Sequence, residues 1–216
     1  MKTRILLLRH GETDWNAAHR MQGRRDIPLN ERGRKQASCA AAFLADMTID
    51  AVYASPLSRA AETAEIVKGK RDLPVIPEEG ILEIDLGKWD GCTPEDMDVK
   101  FPGWYDIWRQ SPDKAIPEGG ETFRQVQERA VAAIQRIAGE NQGKTVLLVS
   151  HMGCITSALI YFSGKSLDTL WKIPIANCGL SVLEEEDGRW TVCSWGRADY
   201  IPEEYRPKHL FGRIRG

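Results

Sequence analysis

The stretch Arg4-Ile5-Leu6-Leu7-Leu8-Arg9-His10-Gly11-Glu12-Thr13 decides how the rest of the chain is read. Ile5 to Leu8 is an unbroken apolar run, which suits a strand buried on both faces in a sheet flanked by helices. The run stops at Arg9-His10-Gly11. Ligands of open α/β sheets bind beyond the carboxyl ends of the strands. Gly11 removes a side chain where the backbone must turn or approach a ligand. Arg9 offers a planar fork of donors suited to a phosphate. His10 can act as a nucleophile or a proton carrier near neutral pH. The same residues also describe a strand that ends in a solvated Arg–His pair, and this stretch alone leaves both readings open.

Beyond that strand, Glu12 to Asn30 is polar, is broken by Gly23 and Pro28, and reads as a long loop of a kind that is often functional. Asn30 predicts a helix cap with acidic Glu31 in the first turn, and Ala37, Ala40, Ala41 and Leu44 follow at helical spacing. Ala51 to Ala54 predicts a short strand ending at Ser55-Pro56, and Ser58 to Val67 a helix stopped by Gly69. Leu73 to Ile76 predicts an edge strand, because Pro74 lacks an N–H. Gly80 to Gly120 is irregular and carries Trp89, Trp104, Tyr105 and Trp108. It reads as a lid over one end of the sheet, with one short helix at Trp104 to Gln110, or as a hydrophobic cluster under a long loop; the two are compatible.

Glu121 to Ala138 is the clearest helix, with an apolar stripe of Phe123, Val126, Ala130, Ile134 and Ile137. Thr145 to Val149 predicts another buried strand, ending at Ser150-His151-Met152-Gly153, and Ile155 to Phe162 a helix stopped by Gly164. Leu180 to Leu183 and Trp190 to Ser194 predict strands joined across Asp187-Gly188, a hairpin signal. The basic tail from Pro202 is expected to pack loosely. No internal repeat or low-complexity linker interrupts this order, so a single domain over residues 1–216 is expected, with the lid at about 80–120.

The composition narrows the function. A chain of 216 residues that is 42% hydrophobic can build a sizeable core, and a formal net charge of -2 gives no footprint for nucleic acid or an anionic membrane. Five scattered cysteines (Cys39, Cys92, Cys154, Cys178, Cys193) form no Cys-x-x-Cys pair and read as reduced thiols of a cytoplasmic protein. The apolar run after Met1-Lys-Thr-Arg4 is too short for a signal peptide or a membrane span. Nothing in the sequence speaks to oligomeric state.

Two apolar strands each end in a histidine followed closely by glycine, at His10-Gly11 and His151-Met152-Gly153. If those strands are parallel neighbours, the imidazoles sit side by side. The strand before Ser55 leads to Ser58-Arg59 at a helix N-terminus, which favours anions. Arg9, Arg59, His10 and His151 would then converge as an anion cradle around a nucleophile, and a phosphoryl group fits such a cradle best. Two arginines would repel a metal, the histidines lack metal-ligand spacing, and no Gly-rich nucleotide loop occurs. His19 and His209 fit no pattern and are expected at the surface.

Leu8-Arg9-His10-Gly11-Glu12-Thr13 resembles the signature of the histidine phosphatase superfamily, which includes the cofactor-dependent phosphoglycerate mutases. Asn16, Gln22-Gly23, Pro28-Leu29, Gly33 with Gln36-Ala37, and Ser55 to Ala64 follow in the family's order. So do Leu82-Glu83, Gly87 to Gly91, Gly119-Gly120-Glu121 and Ser150 to Gly153, so the resemblance spans nearly the whole chain. It implies a three-layer α/β/α sandwich with a mostly parallel central sheet and a Trp-rich lid. It also implies that His10 becomes phosphorylated, that Arg9, Arg59 and His151 hold the phosphoryl oxygens, and that Glu83 is the proton donor. Asn16, Gln22 and Gly23 would contact the phosphate. For Asn16, Gln22 and Glu83, the residues themselves are equally consistent with loop hydrogen bonds or helix caps.

The physics fits these roles. Nearby guanidinium groups keep His10 neutral, as an attacking imidazole must be, and a carboxyl beside a phosphate dianion holds its proton near neutral pH. The related mutases carry a longer lid insertion with basic residues for a substrate carboxylate, and a small hydroxyl residue where Gln22 stands. Here the lid from Glu83 to Pro117 is short and offers Lys88, Lys100, Arg109 and Lys114 rather than an arginine pair. The expected activity is therefore hydrolysis of a small phosphomonoester, without metal or cofactor. The short lid, with Phe101 to Trp104 and Trp108, resembles both the α-ribazole phosphatases and the broad-specificity bacterial phosphatases. Mutase-type phosphoryl transfer and non-catalytic binding of a phosphorylated ligand stand as the alternatives.

Overall fold

The computed structural model describes residues 1–206, so His209 and most of the basic tail lie outside the described residues. Strand β1 (Thr3–Arg9) runs parallel to β4 (Thr145–Ser150) and antiparallel to β5 (Leu180–Glu186). Strand β2 (Ala51–Ala54) lies parallel to β4 on its other side, and the short β3 (Val75–Pro77) pairs parallel with β2. Strand β6 (Arg189–Arg197) closes the far edge, giving the order β3-β2-β4-β1-β5-β6. The sheet is thus mostly parallel, with an antiparallel hairpin at one side. The turn of that hairpin is Asp187-Gly188, with φ of 52° and 79°, the left-handed pair a tight two-residue turn requires.

The apolar run divides between two layers because successive strand residues face opposite ways. Ile5 and Leu7, with Val146 and Leu148, pack in the core beneath α6 (Phe123–Glu140) and α7 (Met152–Phe162). Leu6 and Leu8, with Leu147 and Val149, pack on the other side beneath α2 (Glu31–Phe43) and α3 (Ser58–Lys68). Helix α2 starts as expected, Asn30 accepting the Gly33 N–H at 2.8 Å.

The boundaries differ in informative places. Helix α7 starts at Met152, immediately after His151, and not at Ile155. Gly153, read as part of the strand's exit, is inside its first turn. Two short helices fall where irregular chain was expected: α1 (Asp14–Ala17) and α4 (Pro94–Lys100). Both open on a threonine whose side chain and backbone exchange hydrogen bonds with the third helical residue, Asn16 and Asp96 respectively. Helix α5 (Trp104–Gln110) is where it was expected. The edge strand is displaced to Val75–Pro77. The described start of the tail is tied down: Gln36 donates to the Tyr205 carbonyl at 2.7 Å, and Arg206 to the Ile201 carbonyl at 2.7 Å.

The lid is built on aromatic contact. Trp89 and Trp108 meet edge to face at 5.7 Å, and Trp108 lies 4.7 Å from Phe123 of α6 and 5.3 Å from Trp171. Each such pair adds about 0.5–1.5 kcal/mol beyond its buried area. No helix among the described residues is long and apolar enough to cross a membrane.

Candidate active site

The parallel register of β1 and β4 pairs Arg9 with Ser150, so the next residue of each strand is a histidine. The rings of His10 and His151 lie 5.1 Å apart. His10 is 3% exposed, and its Nδ1 donates to the Gly11 carbonyl at 2.6 Å. That bond fixes the proton on Nδ1 and leaves the Nε2 lone pair available. Burial, then Arg59 and Arg9, hold the His10 imidazolium well below its ordinary pKa, so the ring is neutral at pH 7.

Arg59, in the first turn of α3, is fully buried beside the histidine pair. Its Nε donates to His151 Nδ1 at 3.2 Å, Nη1 to the Arg25 carbonyl at 2.8 Å and Nη2 to the Gly23 carbonyl at 2.8 Å. His151 Nδ1 is therefore an acceptor, and its Nε2–H donates to Ser55 Oγ at 2.8 Å. Gln22 is satisfied at both ends in one orientation, its nitrogen donating to Thr13 Oγ1 at 2.7 Å and its oxygen accepting from Arg59 Nε and Nη1 at 3.1 and 3.0 Å. Gly23 was expected to touch the phosphate directly. Its N–H instead donates to Asp90 at 3.0 Å and its carbonyl faces Arg59, so it acts on the cradle through the guanidinium. The α3 N-terminus also differs from expectation, since the Ser58 N–H is taken by Asp26 at 2.7 Å.

Arg9 donates from Nη1 to the Ile175 carbonyl at 2.7 Å, while its buried Nε has no protein partner. Burial lowers both Arg9 and Arg59 to about 10, so both remain cationic at neutral pH. Asn16 accepts from Asn177 Nδ2 at 3.1 Å, and the same Asn177 nitrogen donates to the His10 carbonyl at 3.1 Å. Asn177 is buried and has no counterpart among the sequence expectations. An asparagine in a loop carries no pattern that would mark it.

Glu83 reaches the site from the lid segment and is 7% exposed. Its carboxylate accepts N–H groups from Gly153 and Cys154 in the first turn of α7, at 3.1 and 3.2 Å, and from Ile84 at 2.9 Å. Burial raises its pKa, against those backbone donors and the two arginines. A Cβ on Gly153 would stand 2.5 Å from Glu83 Oε1, so any other residue there would displace the Glu83 carboxyl. Gly11 and Gly33 meet in the same way, each lacking space for a Cβ against the other's loop, which brings α2 against the turn after β1.

These residues surround a cleft of about 190 Å³. Arg9, His10, Asn16, Gln22 and Glu83 line it, with Arg59 and His151 immediately behind. Its outer wall includes Tyr105, Trp108 and Arg109 of α5 together with Trp171, far along the chain. His19 is exposed, as expected, and also borders the cleft. Among the described residues, no group of three His, Cys, Asp or Glu side chains is placed to hold a metal.

A mostly parallel α/β sandwich that gathers two arginines, two neutral histidines and a buried carboxyl at its strand ends is built for phosphoryl chemistry. The sequence profile of the histidine phosphatase superfamily (branch 1) matches residues 5–198, and the chain belongs to that superfamily as a phosphoric monoester hydrolase. It is 32% identical to phosphoserine phosphatase 1 of Hydrogenobacter thermophilus over 206 residues, 95% of this chain and 98% of that one. Its structure is similar to that of YhfR from Bacillus stearothermophilus, with a TM-score of 0.89 and 37% identity over 93% of this chain and 100% of that one. It is also similar to the α-ribazole phosphatase of Shigella flexneri, with a TM-score of 0.82 and 28% identity over 90% and 96% of the two chains.

Proposed function

We propose that the protein hydrolyses small phosphomonoesters through a covalent phosphohistidine on His10, without a metal. The observation that carries this reading is the His10 Nδ1–H bond to the Gly11 carbonyl, which holds a neutral imidazole with Nε2 free beside Arg9 and Arg59. In the first step Nε2 forms a bond to phosphorus and the ester P–O bond breaks. The departing alkoxide takes the proton of Glu83. Arg9 and Arg59, with Asn16 and Gln22, stabilise charge on the equatorial oxygens, and His151 joins them when its Nε2–H exchanges Ser55 Oγ for a phosphoryl oxygen. In the second step the Glu83 carboxylate removes a proton from water as its oxygen bonds phosphorus and the N–P bond breaks. Phosphate leaves, and His10 and protonated Glu83 are restored.

Hydrolysis is favoured over mutase transfer by the lid. Its basic residues from Glu83 to Pro117 are Lys88, Lys100, Arg109 and Lys114 rather than an arginine pair, and Lys88 is paired to Glu118 and Lys100 to Asp96. The presence of His10, Arg9, Arg59 and Glu83 in one cleft favours catalysis over passive binding. The aromatic outer wall supports a leaving group with a flat or apolar body, of which α-ribazole phosphate is one case, while the similarity to a phosphoserine phosphatase supports a small polar one. We place the chain in the cytoplasm on its five free cysteines, and read it as one domain.

The test is chemical trapping. Labelled substrate quenched during turnover is expected to leave an acid-labile phosphohistidine at His10. Turnover of a His10→Ala variant at near the parent rate would overturn the mechanism. A panel of α-ribazole phosphate, phosphoserine, aryl phosphates and 3-phosphoglycerate, the last with and without a bisphosphoglycerate primer, identifies the substrate and separates hydrolysis from mutase transfer.

A further inference from the structure

The Gly119-Gly120-Glu121 motif and Arg129 on α6 have no part in the chemistry above, yet they converge on the segment that carries Glu83. Arg129 Nε and Nη2 donate to the two Glu121 carboxylate oxygens, each at 3.0 Å. Its Nη1 donates to the Gly80 and Leu82 carbonyls at 3.0 and 2.7 Å, and Nη2 also to the Glu83 carbonyl at 2.9 Å. All five N–H groups of the guanidinium are thereby used, three of them on the backbone at and just before Glu83. Glu121 holds the other side. Its Oε2 accepts the Asp85 N–H at 3.0 Å, and its own N–H donates to the Asp85 carbonyl at 2.8 Å. Arg24 closes the network, 2.9 Å from Glu121 Oε1.

We propose that the Glu121–Arg129 pair is the positioning device for Glu83. It fixes residues 80–85 so that the carboxyl stays against the first turn of α7 and over the cleft; this rests on Glu83 being the proton donor. The geometry explains why so irregular a segment can hold a proton-transfer group. Residues 82–86 belong to no helix or strand, so their position is set from outside. Burial works against charge on Glu121, yet the Arg129 hydrogen bonds and the Asp85 N–H keep it below its ordinary pKa. The clasp therefore stays ionised wherever the protein is folded near neutral pH. Arginine is required because a lysine would supply three donors from one point and could not reach both carbonyls and carboxylate.

The experiment compares Arg129→Lys, Glu121→Gln and Glu83→Gln by single-turnover phosphorylation of His10. The substrates are an alkyl phosphate, whose alkoxide needs a proton to leave, and 4-nitrophenyl phosphate, whose phenolate does not. Thermal midpoints are recorded alongside. A lost proton donor costs about 10²–10⁴-fold. For Arg129→Lys and Glu121→Gln, at least a tenfold loss on the alkyl ester is expected, with at most a threefold loss on the nitrophenyl ester. Two variants are used so that one carries the test if the other does not fold. Equal losses on both esters would show that the pair merely stabilises the fold and would overturn the proposal. So would unchanged rates in both variants. If Glu83→Gln is selective for the alkyl ester and the clasp variants are not, only the positioning role fails. If Glu83→Gln itself shows no selectivity, the proton-donor reading fails and the positioning role with it.

Discussion

At the residue scale the site depends on where single protons sit. His10 attacks only as neutral imidazole, and its pKa is pushed well below 6.5 by burial and by Arg59 and Arg9. Glu83 must carry its proton, and burial raises its pKa above 4.5. The pH profile of kcat/KM is therefore expected to be bell-shaped. Its acid limb is His10, lying well below pH 6.5, and its alkaline limb is Glu83; replacing Glu83 with glutamine should remove the alkaline limb and leave the acid one. The same shifts affect stability. Below pH 6.5 the unfolded chain takes up protons that native His10 and His151 refuse, so stability is lost as pH falls from there toward the native values. Each histidine contributes a slope of up to about 1.4 kcal/mol per pH unit, and Glu83, shifted upward, opposes it with one slope of the other sign. Thermal melts between pH 7.5 and 5.5 should show a falling midpoint, shallower in His10→Asn. Arg9, His10, Arg59 and His151 were legible because two apolar strands each end in a histidine close to a glycine, a third leads to Ser58-Arg59, and the resemblance along the whole chain decided a reading that the first strand alone left open. Asn177 was not, because its role comes from reaching back to the His10 carbonyl, a contact that no local pattern encodes.

At the element scale, the turn from β4 into α7 does two jobs at once. It ends a strand at His151 and begins a helix whose first N–H groups meet Glu83. A Gly153→Ala variant is expected to fold, since alanine suits a helix. Its Cβ would displace the Glu83 carboxyl, so turnover of an alkyl phosphate should fall at least tenfold with little change in helix content by circular dichroism. Unchanged turnover would mean that Glu83 does not act from this position. The lid makes a different prediction. Trp108 is 5% exposed between Trp89, Phe123 and Trp171, and truncating a buried tryptophan costs about 3–5 kcal/mol. Trp108→Ala should lower the denaturation midpoint and raise KM for bulky esters, measurable by urea melts and steady-state kinetics. The sequence marked Trp108 as a lid residue but not Trp171, because the two are distant in the chain and meet only in the fold. Helices α1 and α4 carry Thr-initiated caps that were readable, but elements of four and seven residues leave too little periodicity to identify.

At the scale of the whole molecule the architecture was legible because its strands are so apolar that only a sheet covered on both sides could bury them. The cleft's reliance on arginines in place of a metal is testable there too. Hydrolysis of an aryl phosphate should be unchanged by excess chelator, whereas vanadate should inhibit competitively by occupying the cradle; loss of activity that zinc or magnesium restores would reject the metal-free reading. The sheet order also sets a schedule. β1 ends at Arg9, yet both of its partners, β4 and β5, begin at Thr145 or later and are made after it. At about 5–20 residues per second of synthesis, the nucleophile's strand waits roughly 7–30 s for its neighbours. Until then its apolar edge stays open and His10 has no companion. On the ribosome the site must therefore be inert, and the open strand in need of protection, until β4 and β5 have been made.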